Sequence, residues 1–152
     1  MESVSTKSFS SRAIRWAALF AWSGAILLFT LTSGDWFKEW LLFFIKISRD
    51  LDMPSYTPAK LFHFSAYAIW ALMLAGAVKG KYFAPPRLWE YVLFAAITLC
   101  FGALQEGLQL LNPCRRPSGL DVLINFSGGV FGLLIIKAAE LWKNFRNKPA
   151  SV

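Results

Sequence analysis

Charge is scarce in this chain. Asp, Glu, Lys and Arg make up 16% of its 152 residues and apolar residues 56%, against about 25% and about 45–50% in soluble globular proteins. Too little charge to cover a soluble surface points to an integral membrane protein. Cysteine is also scarce. Cys100, inside an apolar run, and Cys114, in a turn, have neither metal-ligand nor disulfide-framework spacing. They read as a small core residue and an incidental thiol. There is no internal repeat, low-complexity segment, soluble domain or Gly-rich phosphate loop, and no Ser or Cys sits where a nucleophile would be activated. Acids are outnumbered, nine against sixteen Lys and Arg for a net charge of +7. The basic residues are scattered between hydrophobic runs with no basic face or nucleic-acid motif. They read as topology signals, and nucleic acid is not expected as a partner.

What is present is a series of long apolar runs. Residues 1–13 are Ser-rich and polar and predict a mobile tail. From Trp16 to Gly34 nineteen positions carry no charge, close to the ~20 that cross a ~30 Å hydrocarbon core. A cleaved signal peptide is the competing reading. The run is longer than the usual apolar core of about 7–15 residues and lacks a clear A-x-A site, which favours a retained helix. Asp35–Arg49 carries five charges, and Trp36, Trp40, Phe43, Phe44 and Ile47 recur at helical spacing. That pattern suits an interfacial amphipathic helix over about 36–49, or an amphipathic helix packed on the bundle. Asp50–Pro58 reads as a loop. The fold class expected is therefore all-α, a single membrane domain over 1–152. Its four transmembrane helices fall at about 14–34, 60–78, 89–111 and 120–142, with the interfacial helix in addition. Gly128-x-x-x-Gly132 offers a flat strip for close helix packing.

Four spans put both termini on one side. Ten basic residues fall there: Lys7, Arg12, Arg15, Lys79, Lys81, Arg87, Lys137, Lys143, Arg146 and Lys148. The other side has six: Lys38, Lys46, Arg49, Lys60, Arg115 and Arg116. The bias predicts cytoplasmic termini, with 35–59 and 112–119 facing outward.

On that topology the costly polar residues converge. Lys60 and His63 start the second span, Glu106 and Gln109 end the third, and Asp121 and Asn125 start the fourth. All six lie within about one and a half turns of the outer face, and the i,i+3 or i,i+4 spacings put each set on one face of its helix. Tyr67 follows His63 at i,i+4 and would brace it. Glu106 at this depth needs a proton or a cation, which Lys60, His63 or Arg115 could supply. Such a cluster can bind a polar head group or carry acid–base chemistry, with His63 and Glu106 the catalytic candidates. It can equally be an ion-pair network that locks three helices together. No metal site or cofactor is expected, because His63, Glu106 and Asp121 come from three helices with no H-x-x-E or H-E-x-x-H pairing.

Lys60-x-x-His63-Phe64-x-x-Tyr67, Glu106-x-x-Gln109, Pro113-x-Arg115, Ser118-x-x-Asp121, Asn125, Gly128 and Gly132 together resemble the VanZ-like family of small bacterial membrane proteins. The resemblance covers about residues 60–135. Cys114 departs from it, standing where the family tends to have Gly. The resemblance implies a bacterial cytoplasmic-membrane protein, and the family's namesake is associated with low-level resistance to teicoplanin, a glycopeptide carrying a lipid tail. The ligand expected is a cell-envelope lipid or lipid-linked envelope molecule. Lys60 and Arg115 would meet an anionic head, and Glu106, Gln109, Asp121 and Asn125 would orient them or bond sugar or peptide groups.

Overall fold

A computed structural model describes residues 3–31 (side chains from Ser11 onward), 42, 46, 54, 57–112 and 117–147. Those residues form helices and their connections, with no strand among them. Helix α1 spans Ser3–Leu31, α2 Thr57–Lys79, α3 Leu88–Leu108 and α4 Gly119–Arg146, and a 3-10 turn over Gln109–Leu111 prolongs α3. All four helices are long and apolar enough to cross a membrane. In hydrocarbon no water can bond a bare N–H or C=O, so an uncharged run of this length satisfies its backbone as a helix.

Several boundaries differ from the sequence reading. The tail expected over 1–13 is helical from Ser3 onward, continuous with the span that follows. Thr57 and Pro58, read as loop, form the first turn of α2, where proline's missing N–H has no intrahelical partner to lose. Gln109 lies in the 3-10 turn and not in the α-helix proper. Of the expected interfacial segment 36–49 only Leu42 and Lys46 are described, both exposed. The remainder of that segment lies outside the described residues.

The turn from α2 to α3 shows its chemistry plainly. Gly80, at φ +73°, takes the left-handed conformation that ends a helix at no steric cost. Pro85 and Pro86 bar a return to helix before Arg87. Glu90, in the first turn of α3, accepts the Arg87 backbone N–H and receives Lys79 Nζ at 2.9 Å from the last turn of α2. An acid at a helix start and a base at a helix end each oppose the local dipole.

Helix α2 is the centre of the bundle and packs most extensively against α4. The two run parallel in a fixed register. A Cβ on Gly128 would collide with the Phe64 carbonyl, and one on Gly132 with the Ala68 carbonyl. The glycine strip therefore lets two backbones touch, as small residues do in membrane interfaces. Helix α3 lies antiparallel to α4, with Gly129 against the Thr98 side chain and a Cβ on Gly102 only 3.2 Å from Asn125 Cβ. Helix α1 is fastened to α2 by two indoles. Trp22 Nε1 donates to the Ala66 carbonyl at 3.1 Å, and Trp70 Nε1 to Ser23 Oγ at 2.8 Å. The core joins Leu19, Ile26, Tyr67, Trp70, Leu74, Phe94, Leu133 and Ile136, and Trp70 stacks on Phe101 with centroids 4.9 Å apart. Outward-facing positions carry Phe20, Leu28, Ile69, Val92, Leu123, Phe131 and Leu134, a surface suited to acyl chains. Cys100, read as a core residue, lies on this exposed face of α3, because α3 buries the stripe through Phe94, Thr98, Gly102 and Gln105 instead.

Candidate functional site

The parallel register of α2 and α4 pairs their polar starts row by row. Lys60 Nζ donates to Asp121 in an ion pair. One turn deeper, His63 Nδ1 meets Asn125 Oδ1 at 3.1 Å. One turn deeper again, the glycine contacts begin. The i,i+3 and i,i+4 spacings seen in the sequence are thus two rungs of one inter-helix ladder.

Below the ion pair a chain of neutral side chains crosses the bundle. Asn125 Nδ2 donates to Gln105 Oε1 at 3.4 Å, and Tyr67 OH donates to the same oxygen. Gln105 Nε2 donates to Thr30 Oγ1 at 2.6 Å, and Thr30 donates to the Ile26 carbonyl at 2.8 Å. Asn125, Tyr67, Gln105 and Thr30 are all buried, so each bond replaces water that the site excludes.

The chain has a direction. Thr30 spends its proton on Ile26, so its oxygen accepts from Gln105 Nε2. That turns Gln105 Oε1 toward Tyr67 and Asn125, which both donate. Asn125 then presents Oδ1, an acceptor, to His63 Nδ1, which donates to it when that nitrogen is protonated. A backbone carbonyl in α1 is thereby linked through side-chain bonds to a histidine in α2.

Glu106 has another role. It is 3% exposed, and its carboxylate accepts Gln109 Nε2 at 3.0 Å and the Ser118 backbone N–H at 3.1 Å. Ser118 is the N-cap of α4 and makes no side-chain cap bond of its own. The carboxylate, reaching across from α3, holds the N-cap residue by its own N–H and places its charge near the positive end of the α4 dipole. On the other flank, Asn112 Nδ2 donates at 2.8 Å to the carbonyl of Leu31, the last residue of α1, meeting an acceptor that helix geometry leaves open.

Between α1, α2 and α3 lies a small, partly open pocket of about 80 Å³ lined by Ile26, Phe29, Thr30, Ala59, Phe62, His63, Ala66, Tyr67, Gln105 and Gln109. Five of its lining residues are apolar and five carry polar groups, and the exposed wall is mostly apolar. Lys60, Glu106, Asp121 and Asn125 stand behind this wall and do not line it.

The structure therefore gathers seven of the eight sequence candidates at one end of the bundle: Lys60, His63, Tyr67, Glu106, Gln109, Asp121 and Asn125. Arg115 lies outside the described residues. Tyr67 bonds Gln105 instead of bracing His63, a place Asn125 takes. Lys60 is engaged by Asp121 and does not reach Glu106 as a hydrogen-bonding partner. Gln105, Thr30 and Asn112 were missed. Gln105 adjoins Glu106 in sequence, and that was its one signal. Thr30 bonds its own helix backbone and so passes for an apolar residue in an uncharged run. Among the described residues no group of three or more His, Cys, Asp or Glu side chains could hold a metal ion.

Compared with protein families, curated proteins and solved structures, the chain gives no match. The fold and the site define a polytopic α-helical membrane protein with a buried polar chain behind a partly open pocket at one end.

Proposed function

We propose that this is a VanZ-like protein of the bacterial cytoplasmic membrane whose pocket recognises the head of a cell-envelope lipid or lipoglycopeptide, with a contribution to teicoplanin-type resistance as one outcome. The observation that carries the reading is the lining of the pocket. Phe29, Phe62 and Ile26 face the same space as His63, Tyr67, Gln105 and Gln109, a match for a molecule with an apolar tail and a polar head. The excess of Lys and Arg at the opposite end supports cytoplasmic termini and an outward-facing pocket.

Lys60 is held by Asp121, so its part is to register α2 on α4 and not to greet a phosphate. The pocket wall offers amide, phenol and imidazole groups, which suit sugar hydroxyls or peptide amides. Glu106 shapes the site by fixing the start of α4. A second reading, a membrane enzyme acting on a lipid-linked precursor, draws on the bond from His63 to Asn125, since a general base needs its ring held in place before substrate arrives.

The test is native mass spectrometry of the protein in mild detergent after expression in a bacterial membrane, wild type beside His63→Ala and Gln109→Ala. An envelope lipid adduct in the wild type, reduced at least tenfold in both folded variants, is expected. Folded wild type with no adduct from any envelope lipid fraction would overturn the proposal. Turnover of that lipid, lost in His63→Ala while the adduct persists, would move the assignment to the enzyme.

A further inference from the structure

At the opposite end of the bundle, where α1 and α3 begin and α2 and α4 end, Arg15 has an environment unlike that of the other basic residues. Its side chain is half-buried against the turn after α2, and a Cβ on Gly80 would lie 3.8 Å from Arg15 Nη2. Its Nε is buried without a hydrogen-bond partner, and no bond or ion pair to Arg15 is formed among the described residues. A guanidinium has five N–H donors in a planar fork, and leaving a buried donor unmet costs about 1–3 kcal/mol.

The acids of this end do not relieve it. Glu90 is occupied by Lys79 and by the Arg87 backbone N–H. Glu140 is occupied by Lys137 at 2.7 Å. Arg12, three residues before Arg15 on the same helix face, and Lys81, beside Gly80, are both exposed. Three cations therefore converge on one corner between α1 and the α2–α3 turn with no anion from the described residues. Trp16, next to Arg15, packs against the core, as aromatic residues do at the head-group level.

We propose that this corner binds a phosphate head group, with the Arg15 guanidinium as its anchor and Arg12 and Lys81 as outer contacts. A fork of donors matches a phosphate's oxygens in a way that a point charge does not. Arg15 stands near the start of the candidate span Ser11–Leu31, where a bilayer crossed by that span would place its lipid phosphates, and a basic notch between helices is the form of site that takes an anionic lipid. The inference is independent of the pocket at the other end.

The experiment uses the full chain, delipidated in maltoside detergent, and follows thermal unfolding and native mass spectra. Phosphatidylglycerol, phosphatidylcholine of the same acyl chains, and inorganic phosphate are added in turn. Phosphatidylglycerol is expected to raise the midpoint by several degrees and to give a retained adduct, and phosphatidylcholine to do neither. Arg15→Gln should weaken the adduct at least tenfold and Arg15→Lys, which keeps the charge but not the fork, at least threefold. Lys143→Gln removes one exposed charge from the same end and should leave the adduct unchanged. If Arg15→Gln fails to fold, the Arg12→Gln/Lys81→Gln double variant carries the test, with at least a threefold loss expected. Equal protection by inorganic phosphate would assign the site to the free ion. An equal loss in Lys143→Gln, or full binding in folded Arg15→Gln, would reduce the effect to general surface charge and overturn the proposal.

Discussion

Lys60 and Asp121 provide the sharpest test of whether the polar end is a ladder holding two helices in register. Their side chains keep 28% and 17% of their exposure, so the pair is neither solvated nor sealed. Removing one partner of a fully buried pair costs about 3–5 kcal/mol, whereas an exposed pair contributes about 0–1. This intermediate position places Lys60→Met at about 2–3 kcal/mol, because Asp121 is left charged at the edge of the hydrocarbon. Asp121→Leu should cost slightly more, since it also removes the acid from the first turn of α4, worth about 0.3–1 kcal/mol. The double variant Lys60→Met/Asp121→Leu leaves no orphaned charge and should cost little more than either single variant, about 3 kcal/mol, giving a coupling of about 2 kcal/mol. Reversible unfolding in mixed micelles, followed by Trp fluorescence, measures all four forms. Lys137→Met is the control, because Lys137 is 48% exposed in its pair with Glu140 and should lose less than about 0.5 kcal/mol. Strict additivity of the Lys60 and Asp121 changes would refute the ladder, as would single losses no larger than the control.

Further predictions bear on the rest of the bundle. Gly128→Leu and Gly132→Leu would drive a side chain into the Phe64 and Ala68 carbonyls, and each should abolish the folded state in micelles by circular dichroism and gel filtration, whereas Gly24→Leu meets nothing and should be tolerated. Asn125→Leu strips both His63 and Gln105 of a partner and should cost about 2–4 kcal/mol, but Tyr67→Phe leaves Gln105 Oε1 still bonded to Asn125 and should cost about 1. Glu106→Gln keeps an acceptor for the Ser118 N–H but loses the charge at the α4 dipole, an expected loss of about 1 kcal/mol by the same assay. With Cys114→Ser as background, Cys100 in bilayers should resist water-soluble maleimide. Labelling comparable to a cysteine placed at Lys81 would mean that this face of α3 meets water.

The rules of membrane chemistry let the four helices and the glycine strip be read from composition alone. Nineteen uncharged positions from Trp16 to Gly34 have few other stable conformations in hydrocarbon, and Gly at i and i+4 marks a face whatever it packs against. The same economy makes His63, Glu106, Asp121 and Asn125 conspicuous, since polar groups at that depth are expensive. The sequence therefore determined which residues would gather at one end.

Which of them would touch, only the tertiary structure decided. Lys60 meets Asp121 and His63 meets Asn125 because α2 and α4 run parallel with the glycines setting their offset, and no spacing within a single helix contains that offset. Glu106 holds the start of α4, and does not pair with Lys60, because the link after α3 returns Ser118 to it. Thr30 and Gln105 join the chain through a helix 75 residues away in sequence, a contact without local periodicity to announce it. Hydrophobicity is a property of each residue and can be read one position at a time. Hydrogen bonding is a property of pairs, so the partner of His63 was decided only when the helices came together.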